Sequence, residues 1–419
     1  MDFQKENISR HNFEQCTKCT VCTVVCPVTP INTKYPGPKQ AGPDGERYRL
    51  KNPDFFDEAF KYCLNCKRCE VACPSDVRIG DLILSARLTY SKGKPSLRDT
   101  MLAETDVMGS LATLCAPVVN ASLAMKPVKY VMDRTLKIDS HRQFPKYAST
   151  KFETWFRRHA AAAEQSKYSR HISYFHGCYV NYNYPDLGKA LVAVCNALGV
   201  GVRLLDRERC CGVAKIANRL VKEATRDAEI NIASIRKALA VGSEAVVATS
   251  STCCFTMRDE YHHVLGLDNS DIRRSVTLAT AYISKLIERG EVRLVFRDDY
   301  RRRIAYHTPC HMERMGFTQY SVALLKSIPG VDLVVLNPNC CGIAGTYGFK
   351  KENYETSQAI GSRLFAEIEN VRPDFVATDC ETCKWQIEMS TGIKVKNPVE
   401  VLFEALDLDA TRKANNLTI

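Results

Sequence analysis

Two short cysteine runs near the N-terminus constrain this chain more than any other feature of its sequence. Both have the spacing C-x2-C-x2-C-x3-C followed by proline. The cysteines of the first run are Cys16, Cys19, Cys22 and Cys26, and those of the second are Cys63, Cys66, Cys69 and Cys73. Three thiolates at this spacing reach three irons of one 4Fe–4S cluster and leave the fourth iron for a distant ligand.

The spacing is that of bacterial two-cluster ferredoxins, where the fourth cysteine of each run binds the other cluster. We therefore predict two 4Fe–4S clusters. The ligands predicted for the first are Cys16, Cys19, Cys22 and Cys73, and those for the second are Cys63, Cys66, Cys69 and Cys26. A zinc site needs four ligands and does not account for the triple spacing. A disulfide framework needs an oxidising compartment, and the sequence shows no targeting signal for one.

The composition supports metal ligation. The chain has 419 residues, enough for about two to four domains, and its 20 cysteines are clustered. The N-terminal residues are polar and charged, without the apolar core of a signal peptide. A reducing, cytoplasmic location is therefore expected, in which thiols stay available to iron. The net charge of +11 suggests an anionic surface or partner.

The region of the two runs, residues 1–105, is predicted to be an α-helical ferredoxin domain. Residues 79–91 have the apolar spacing of a helix, and a second helix is expected over residues 54–62. Residues 35–46 are rich in Gly and Pro and are predicted to form a long loop.

Residues 106–170 are predicted to form a linker that is first mildly apolar and then basic. No residue from 107 to 125 is charged, and the length approaches that of a membrane span. Pro117, Asn120 and several small polar residues make the segment only mildly apolar. Three alternatives remain open, namely a buried segment that shields a cluster, a segment in the membrane interface and a true span.

The basic part, residues 126–170, holds eleven Lys or Arg against four Asp or Glu, a net charge of +7. Its aromatic residues include Tyr130, Phe144, Tyr147, Phe152, Trp155 and Phe156. This composition favours adsorption to an anionic membrane surface, with the aromatic rings among the headgroups. A solvated linker is the alternative. No nucleic-acid motif accompanies the charge, so nucleic-acid binding is not expected.

The remaining chain contains an internal repeat of about 130 residues with a recurrent Cys-Cys-Gly element. The candidate ligands of the first copy, residues 171–295, are Cys178, Cys210, Cys211 and Cys253, with Cys254 adjacent. Those of the second copy, residues 296–419, are Cys310, Cys340, Cys341, Cys380 and Cys383. The first copy has Ser250 where the second has Cys380. We predict two tandem α/β cysteine-rich domains, a degenerate one and a complete one.

Short apolar strands precede these cysteines. They are predicted at 172–175, 202–205 and 245–249 in the first copy, and at 303–307, 331–336 and 374–378 in the second. Helical stretches between them imply a parallel sheet with right-handed crossovers. Each cysteine group then follows the carboxyl end of a strand, where open α/β sheets build their sites.

Five thiolates in the second copy exceed the four that a cubane cluster or zinc requires. A further iron–sulfur cluster is therefore predicted there, with a structural zinc or an empty site as the alternative. The first copy could hold a different cluster, a labile one or none. His307 is expected to make hydrogen bonds beside the second site, and Cys115 and Cys195 are predicted to be core residues.

Paired ferredoxin runs followed by two Cys-Cys-Gly (CCG) domains resemble a family of iron–sulfur subunits. Members of this family are iron–sulfur subunits of glycolate oxidase, of anaerobic glycerol-3-phosphate dehydrogenase and of heterodisulfide reductases. Longer strings resemble the glycerol-3-phosphate dehydrogenase branch most, and they occupy residues 35–47, 306–313, 340–354 and 379–390.

The resemblance implies an electron-transfer and membrane-anchoring subunit on the cytoplasmic side of the inner membrane, attached peripherally. Flavin-containing catalytic subunits would oxidise sn-glycerol 3-phosphate, and this chain would pass their electrons to menaquinone. It also implies a noncubane cluster in the second CCG domain, whereas Ser250 breaks that pattern in the first. The chain itself has no G-x-G-x-x-G after a strand and no P-loop, so a flavoprotein partner is expected to split the electron pairs. The alternatives are a subunit of a glycolate or lactate oxidase, and a disulfide reductase with a catalytic CCG cluster.

Overall fold

Two parallel four-stranded sheets of the same topology form the C-terminal part of the chain. A computed structural model describes residues 12–52, 55, 58–160 and 162–417. The first sheet has the strand order β2-β1-β3-β4, and its strands are β1 (Arg170–Phe175), β2 (Val200–Leu204), β3 (Val246–Ala248) and β4 (Val276–Leu278). The second has the order β6-β5-β7-β8, and its strands are β5 (Arg302–Tyr306), β6 (Val331–Val335), β7 (Phe375–Ala377) and β8 (Val395–Lys396).

The internal repeat is therefore a repeat of structure. All six predicted strands are present, and every predicted pair in the two sheets is parallel. The prediction missed β4 and β8, which contain three residues and two residues. Strands this short carry almost no alternation of apolar and polar residues, so the sequence pattern did not distinguish them from loops.

The helices before the first sheet are α1 (Val21–Val24), α2 (Gly45–Lys51), α3 (Arg68–Val71), α4 (Ile79–Tyr90), α5 (Leu97–Ala103), α6 (Thr105–Leu114), α7 (Ala116–Ala124), α8 (Lys126–Leu136), α9 (Phe152–His159) and α10 (Ala162–Gln165). Those of the first sheet region are α11 (Pro185–Ala197), α12 (Val213–Ala217), α13 (Val221–Ala240), α14 (Ser251–Phe255), α15 (Tyr261–His263) and α16 (Ala279–Glu288). Those of the second are α17 (Cys310–Met315), α18 (Thr318–Lys326), α19 (Tyr354–Val371), α20 (Glu381–Thr391), α21 (Pro398–Ala405) and α22 (Leu408–Ala414).

The long loop predicted for residues 35–46 is wrong. A π-helical turn, Gln40–Asp44, leads directly into α2. Gly42 lies so close to α4 that an added Cβ would be 3.1 Å from Cγ2 of Ile79, so this glycine permits helix packing. Part of the helix predicted for residues 54–62 lies outside the described residues, and its described end is a 3₁₀ helix, Glu58–Tyr62.

Helices α6 and α7 form a bent pair, here called the apolar hairpin (residues 105–124). Their axes differ by 108°, and only taken together are the two helices long and apolar enough for a membrane span, by length and composition alone. No single helix in the described ranges is long and apolar enough to cross a membrane. Leu114 is 81% exposed and Val118 is 66% exposed, so the hairpin is not a wholly buried segment, although Ala112 and Ala116 on its other side are buried.

Most aromatic residues predicted to face a membrane instead face the protein. Phe152 and Phe156 on α9 are buried in the core of the first sheet region, and Phe144 packs against Phe349. Tyr130 on α8 remains exposed. The apolar face of α9 covers the first sheet because its hydrophobic residues recur at helical spacing, which composition alone did not reveal.

Candidate metal centres

The structure brings the predicted ligands of the first cluster together. Cys22 is buried among the thiols of Cys16, Cys19 and Cys73. Burial raises the pKa of the Cys22 thiol, and negative charge on these three neighbours would raise it further. Cys73 comes from the second run, so the thiols near Cys22 include the fourth cysteine of the other run, which is the set that the ferredoxin spacing predicts for the first cluster.

The predicted ligands of the second cluster also converge. Cys69 lies near Cys63 and Cys26, and Cys66 lies near Cys69 and Cys26. The pKa of the Cys69 thiol is raised mainly by burial. These residues line one cavity together with Tyr35, Pro38 and Gly80. Thiols that face a common cavity, with Cys26 and Cys69 buried and Cys63 and Cys66 half-buried, fit a bound cluster.

A buried ion-pair network surrounds this second group. Lys67 lies between Cys66 and Cys69 in the sequence, and its amine contacts Asp81 and Glu70. Burial alone would lower the pKa of Lys67, but the nearby carboxylates outweigh it and raise that pKa. Arg314 reaches Glu70 from the second sheet region, with Nε 3.0 Å from Oε2. The network therefore joins the ferredoxin domain to the rest of the chain.

The five cysteines of the second CCG site form a contiguous set. Cys310 contacts Cys340, which contacts Cys341. The Sγ atoms of Cys341 and Cys383 are 3.4 Å apart, and Cys383 also contacts Cys380. Hydrogen bonds from Cys340 and Cys383 lower the pKa of the Cys341 thiol.

His307 completes this site. Its ring, Cys341 and Cys383 offer ligand atoms that all lie within 4.8 Å of one another. His307 is fully buried, and neither ring nitrogen has a geometrically good hydrogen-bond partner. An unsatisfied buried imidazole is costly unless something else occupies the site. This side chain and the five thiols therefore fit a bound iron–sulfur cluster.

The first CCG site resembles the second but has four cysteines instead of five. The Sγ atoms of Cys178 and Cys210 are 4.0 Å apart, and Cys211 contacts both Cys210 and Cys253. Ser250 caps α14 by accepting a hydrogen bond from the Cys253 N–H at 3.3 Å. The Ser250 hydroxyl also donates a hydrogen bond to Glu381 across the domain boundary. With serine in place of a fifth cysteine, four thiols remain to bind a metal.

The sites are in contact with one another. Cys66 of the ferredoxin domain is hydrogen-bonded to Cys310 of the second CCG site. At the other side of that site, Cys380 Sγ lies 3.7 Å from Thr252 Oγ1, next to Cys253. We call this succession the thiol series. It runs through Cys66, Cys310, Cys340, Cys341, Cys383, Cys380, Cys253, Cys211, Cys210 and Cys178.

Three cysteines lie outside these groups, namely Cys115, Cys195 and Cys254, and Cys254 is buried next to Cys253. Cys195 is a core residue, as predicted, and burial raises the pKa of its thiol to about 12. Cys115 is exposed at the bend of the apolar hairpin, so its prediction as a core residue is wrong. All 20 cysteines lie in the described part of the chain, and none forms a disulfide.

The two Cys-Cys-Gly elements offer a matched test of packing. Gly342 and Gly212 both have positive φ, but a Cβ on Gly342 would lie 2.0 Å from the Ser357 carbonyl oxygen, whereas one on Gly212 would meet only Ala224 at 3.7 Å. We expect Gly212→Ala to cost about 1–2 kcal/mol from backbone strain. Gly342→Ala should cost clearly more and should lower the iron content. Urea titration and iron analysis of both variants test this, and equal losses would contradict it.

Comparison with known proteins agrees with this organisation. The 4Fe-4S dicluster domain family matches residues 12–77, and the cysteine-rich CCG domain family matches residues 172–258 and 304–388. One subunit of the anaerobic glycerol-3-phosphate dehydrogenase of Escherichia coli is 54% identical over 395 residues, which are 94% of this chain and 99% of that protein. The chain belongs to the family of that subunit. It is therefore an iron–sulfur protein with an N-terminal 4Fe–4S domain and two CCG domains.

More distant relatives share parts of this architecture. The glycolate oxidase iron–sulfur subunit of Escherichia coli is 24% identical, over 87% of this chain and 85% of its own length. Lactate utilization protein A of a Geobacillus species is 30% identical, over 55% of this chain and 98% of its own length. Both are more remote than the glycerol-3-phosphate dehydrogenase subunit.

Proposed function

We propose that this chain is the electron-transfer subunit of an anaerobic sn-glycerol-3-phosphate dehydrogenase complex. Flavin-containing catalytic subunits would oxidise the substrate, and electrons would pass through this chain to menaquinone. The observation that carries the proposal is the thiol series, because the close approach of successive sites, with Thr252 between Cys380 and Cys253, suits one-electron transfer through the protein. Bound iron–sulfur clusters would supply that one-electron chemistry.

The residues of the metal centres take corresponding roles in this proposal. The two cross-paired groups of the ferredoxin domain, residues 1–105, would each hold a 4Fe–4S cluster. Cys310, Cys340, Cys341, Cys380 and Cys383 would hold a noncubane cluster in the complete domain, 296–419. Cys178, Cys210, Cys211 and Cys253 would hold a further cluster in the degenerate domain, 171–295, with Ser250 as a helix cap.

Peripheral attachment to the cytoplasmic face of the membrane is the second part of the proposal. The apolar hairpin exposes Val107, Leu111, Leu114 and Val118, while its opposite face is fixed to the protein. Asn120, for example, exchanges two hydrogen bonds with the Tyr147 backbone, at 2.9 and 2.8 Å. Basic residues on the adjoining α8 suit an anionic leaflet. An exposed apolar surface of this kind favours an interface with lipid.

The hairpin makes a testable prediction about lipid binding. We expect the double variant Leu111→Glu/Leu114→Glu to bind vesicles of phosphatidylglycerol and phosphatidylethanolamine at least about a hundredfold more weakly, since each buried leucine contributes roughly 1.5–3 kcal/mol. Co-sedimentation measures this. Val241→Glu is the control, because Val241 is a comparably exposed apolar residue in the first CCG domain, outside the apolar hairpin. Equal loss in the control would contradict a specific membrane surface.

Reconstitution tests the function as a whole. The cluster-loaded chain is combined with its catalytic subunits, and reduction of menadione is followed with sn-glycerol 3-phosphate, glycolate or lactate as donor. We expect the chain to accelerate menadione reduction with sn-glycerol 3-phosphate only. An unchanged rate with all donors would contradict the proposal, and turnover with glycolate or lactate would support the alternative oxidase. Reduction of a small disulfide, abolished by Cys341→Ser, would instead support a catalytic second CCG site.

A further inference from the structure

A polar cavity of about 330 Å³ lies at the end of the thiol series, beside the first CCG site. Cys178 and Cys210 form part of its wall, so the last thiols of the series face it. Its volume lies within the range of small-molecule sites, which is about 300–1,000 Å³. An electron acceptor in this cavity would be in direct contact with the first CCG site.

One residue of the apolar hairpin also lines the cavity. Asp106, at the start of α6, lines the cavity and accepts a hydrogen bond from the Cys210 backbone N–H at 2.8 Å. The next residue, Val107, belongs to the exposed apolar face of the hairpin. The cavity and the exposed apolar face therefore involve consecutive residues of the same helix.

The hairpin is also held tightly at this place. An added Cβ on Gly109 would lie 2.5 Å from the ring of Tyr182, which itself lines the cavity. Ser110 Oγ is 3.3 Å from the Tyr182 hydroxyl. Because α6 packs without a gap against a cavity residue, the position of the hairpin on a membrane determines the position of the cavity.

We propose that this cavity binds the ring of a membrane quinone and is the place where the quinone is reduced. The inference rests on the proposed function, and it assigns the acceptor site to the first CCG domain. A water-soluble acceptor would have no need of an apolar surface one residue from its site, whereas a lipid-dissolved acceptor reaches the protein there. The polar lining, which includes Asn181 and Tyr182, suits the two oxygens of a quinone or quinol.

The reaction balances with the groups already named. One quinone takes two electrons and two protons, and its two C=O groups become C–OH groups. The catalytic subunits supply the two electrons from one molecule of sn-glycerol 3-phosphate. Water supplies the protons, since Asp206, Arg207 and Arg209 at the rim of the cavity are exposed.

Direct binding of a quinone analogue tests the site. The probe is heptyl-hydroxyquinoline N-oxide, whose fluorescence is quenched on binding, titrated into the cluster-loaded chain. Ile230→Trp, from α13, and Arg207→Trp, from the loop after β2, each place a bulky ring in the cavity. We expect each to weaken probe binding by at least about tenfold. Val241→Trp adds the same side chain at an exposed site elsewhere and should bind like the wild type.

The outcomes separate this site from the function it serves. Iron content and visible spectrum identify variants that keep their clusters, and two blocking variants guard against the failure of one. Unchanged probe binding in cluster-loaded blocking variants would overturn the cavity as the site and leave quinone reduction by the complex intact. Absence of probe binding in the wild type, together with no menadione reduction by the reconstituted complex, would overturn both.

Discussion

Replacing Cys69 with alanine is expected to remove one entire 4Fe–4S cluster, lowering the iron content by about four atoms per chain. Cys69 is buried, and the thiols of Cys63 and Cys26 lie near it. Cys115→Ala is the matched control, because Cys115 is exposed and lies outside every cysteine group. It should leave the iron content unchanged. Anaerobic purification, iron analysis and EPR of the reduced protein measure the effect.

The same measurements distinguish two ligand arrangements. In one, the fourth cysteine of each run binds the other cluster, and in the other, each run binds its own cluster. Cys26 lies in the first run but contacts the thiols of the second, and Cys73 has the opposite placement. Cys26→Ala should therefore lose the same EPR signal as Cys69→Ala, and Cys73→Ala the same signal as Cys22→Ala. If Cys26→Ala instead matched Cys22→Ala, each run would bind its own cluster, and the proposed ligand sets would be wrong.

Menadione reduction by the reconstituted complex should fall to background in Cys69→Ala. The reason is the contact between Cys66 and Cys310, which joins this group to the second CCG site. Normal turnover in a variant that has lost the cluster would show that electrons enter the chain elsewhere.

Local sequence patterns were sufficient for the six strands that precede the CCG cysteines and for the cysteine groups. The strands that precede Cys310, Cys340 and Cys380 are short apolar runs, and their parallel order follows from the helices between them. Because the carboxyl ends of such strands meet at one edge, convergence of these thiols could be predicted without a structure. The same reasoning failed at residues 35–46, where Gly42 serves close packing against Ile79, a contact that no local pattern encodes.

The contacts between domains were beyond prediction from one sequence. Nothing in the spacing of either motif indicates that Cys66 meets Cys310, or that Thr252 meets Cys380. Such contacts depend on how whole surfaces pack. They also determine the position of the second CCG site in the thiol series. The structure places that site between two others, with the cavity at the first CCG site.

Lys67 contributes to stability as part of the same junction between domains, and Lys67→Met is expected to destabilise the folded chain by about 3–5 kcal/mol. Its side chain is fully buried, and its amine is hydrogen-bonded to Asp81 and lies 3.7 Å from Glu70. Methionine fills a similar volume but leaves both carboxylates buried with less positive charge nearby. Lys61→Met is the control, since Lys61 forms its ion pair with Glu58 in the solvent and should not change the unfolding midpoint.

Acidification should reduce the deficit of Lys67→Met. Burial, followed by the charge of Asp81, already raises the pKa of Glu70 to about 6 in the native protein, and loss of the lysine raises it further. A carboxyl whose pKa is higher in the folded than in the unfolded state binds protons on folding, so stability increases as the pH falls through that value. Anaerobic urea titrations at pH values on both sides of about 6, followed by cluster absorbance, measure this. A pH-independent deficit, or one no larger than that of Lys61→Met, would mean that the buried charges at this junction are neutralised by Arg314 and Arg78 alone.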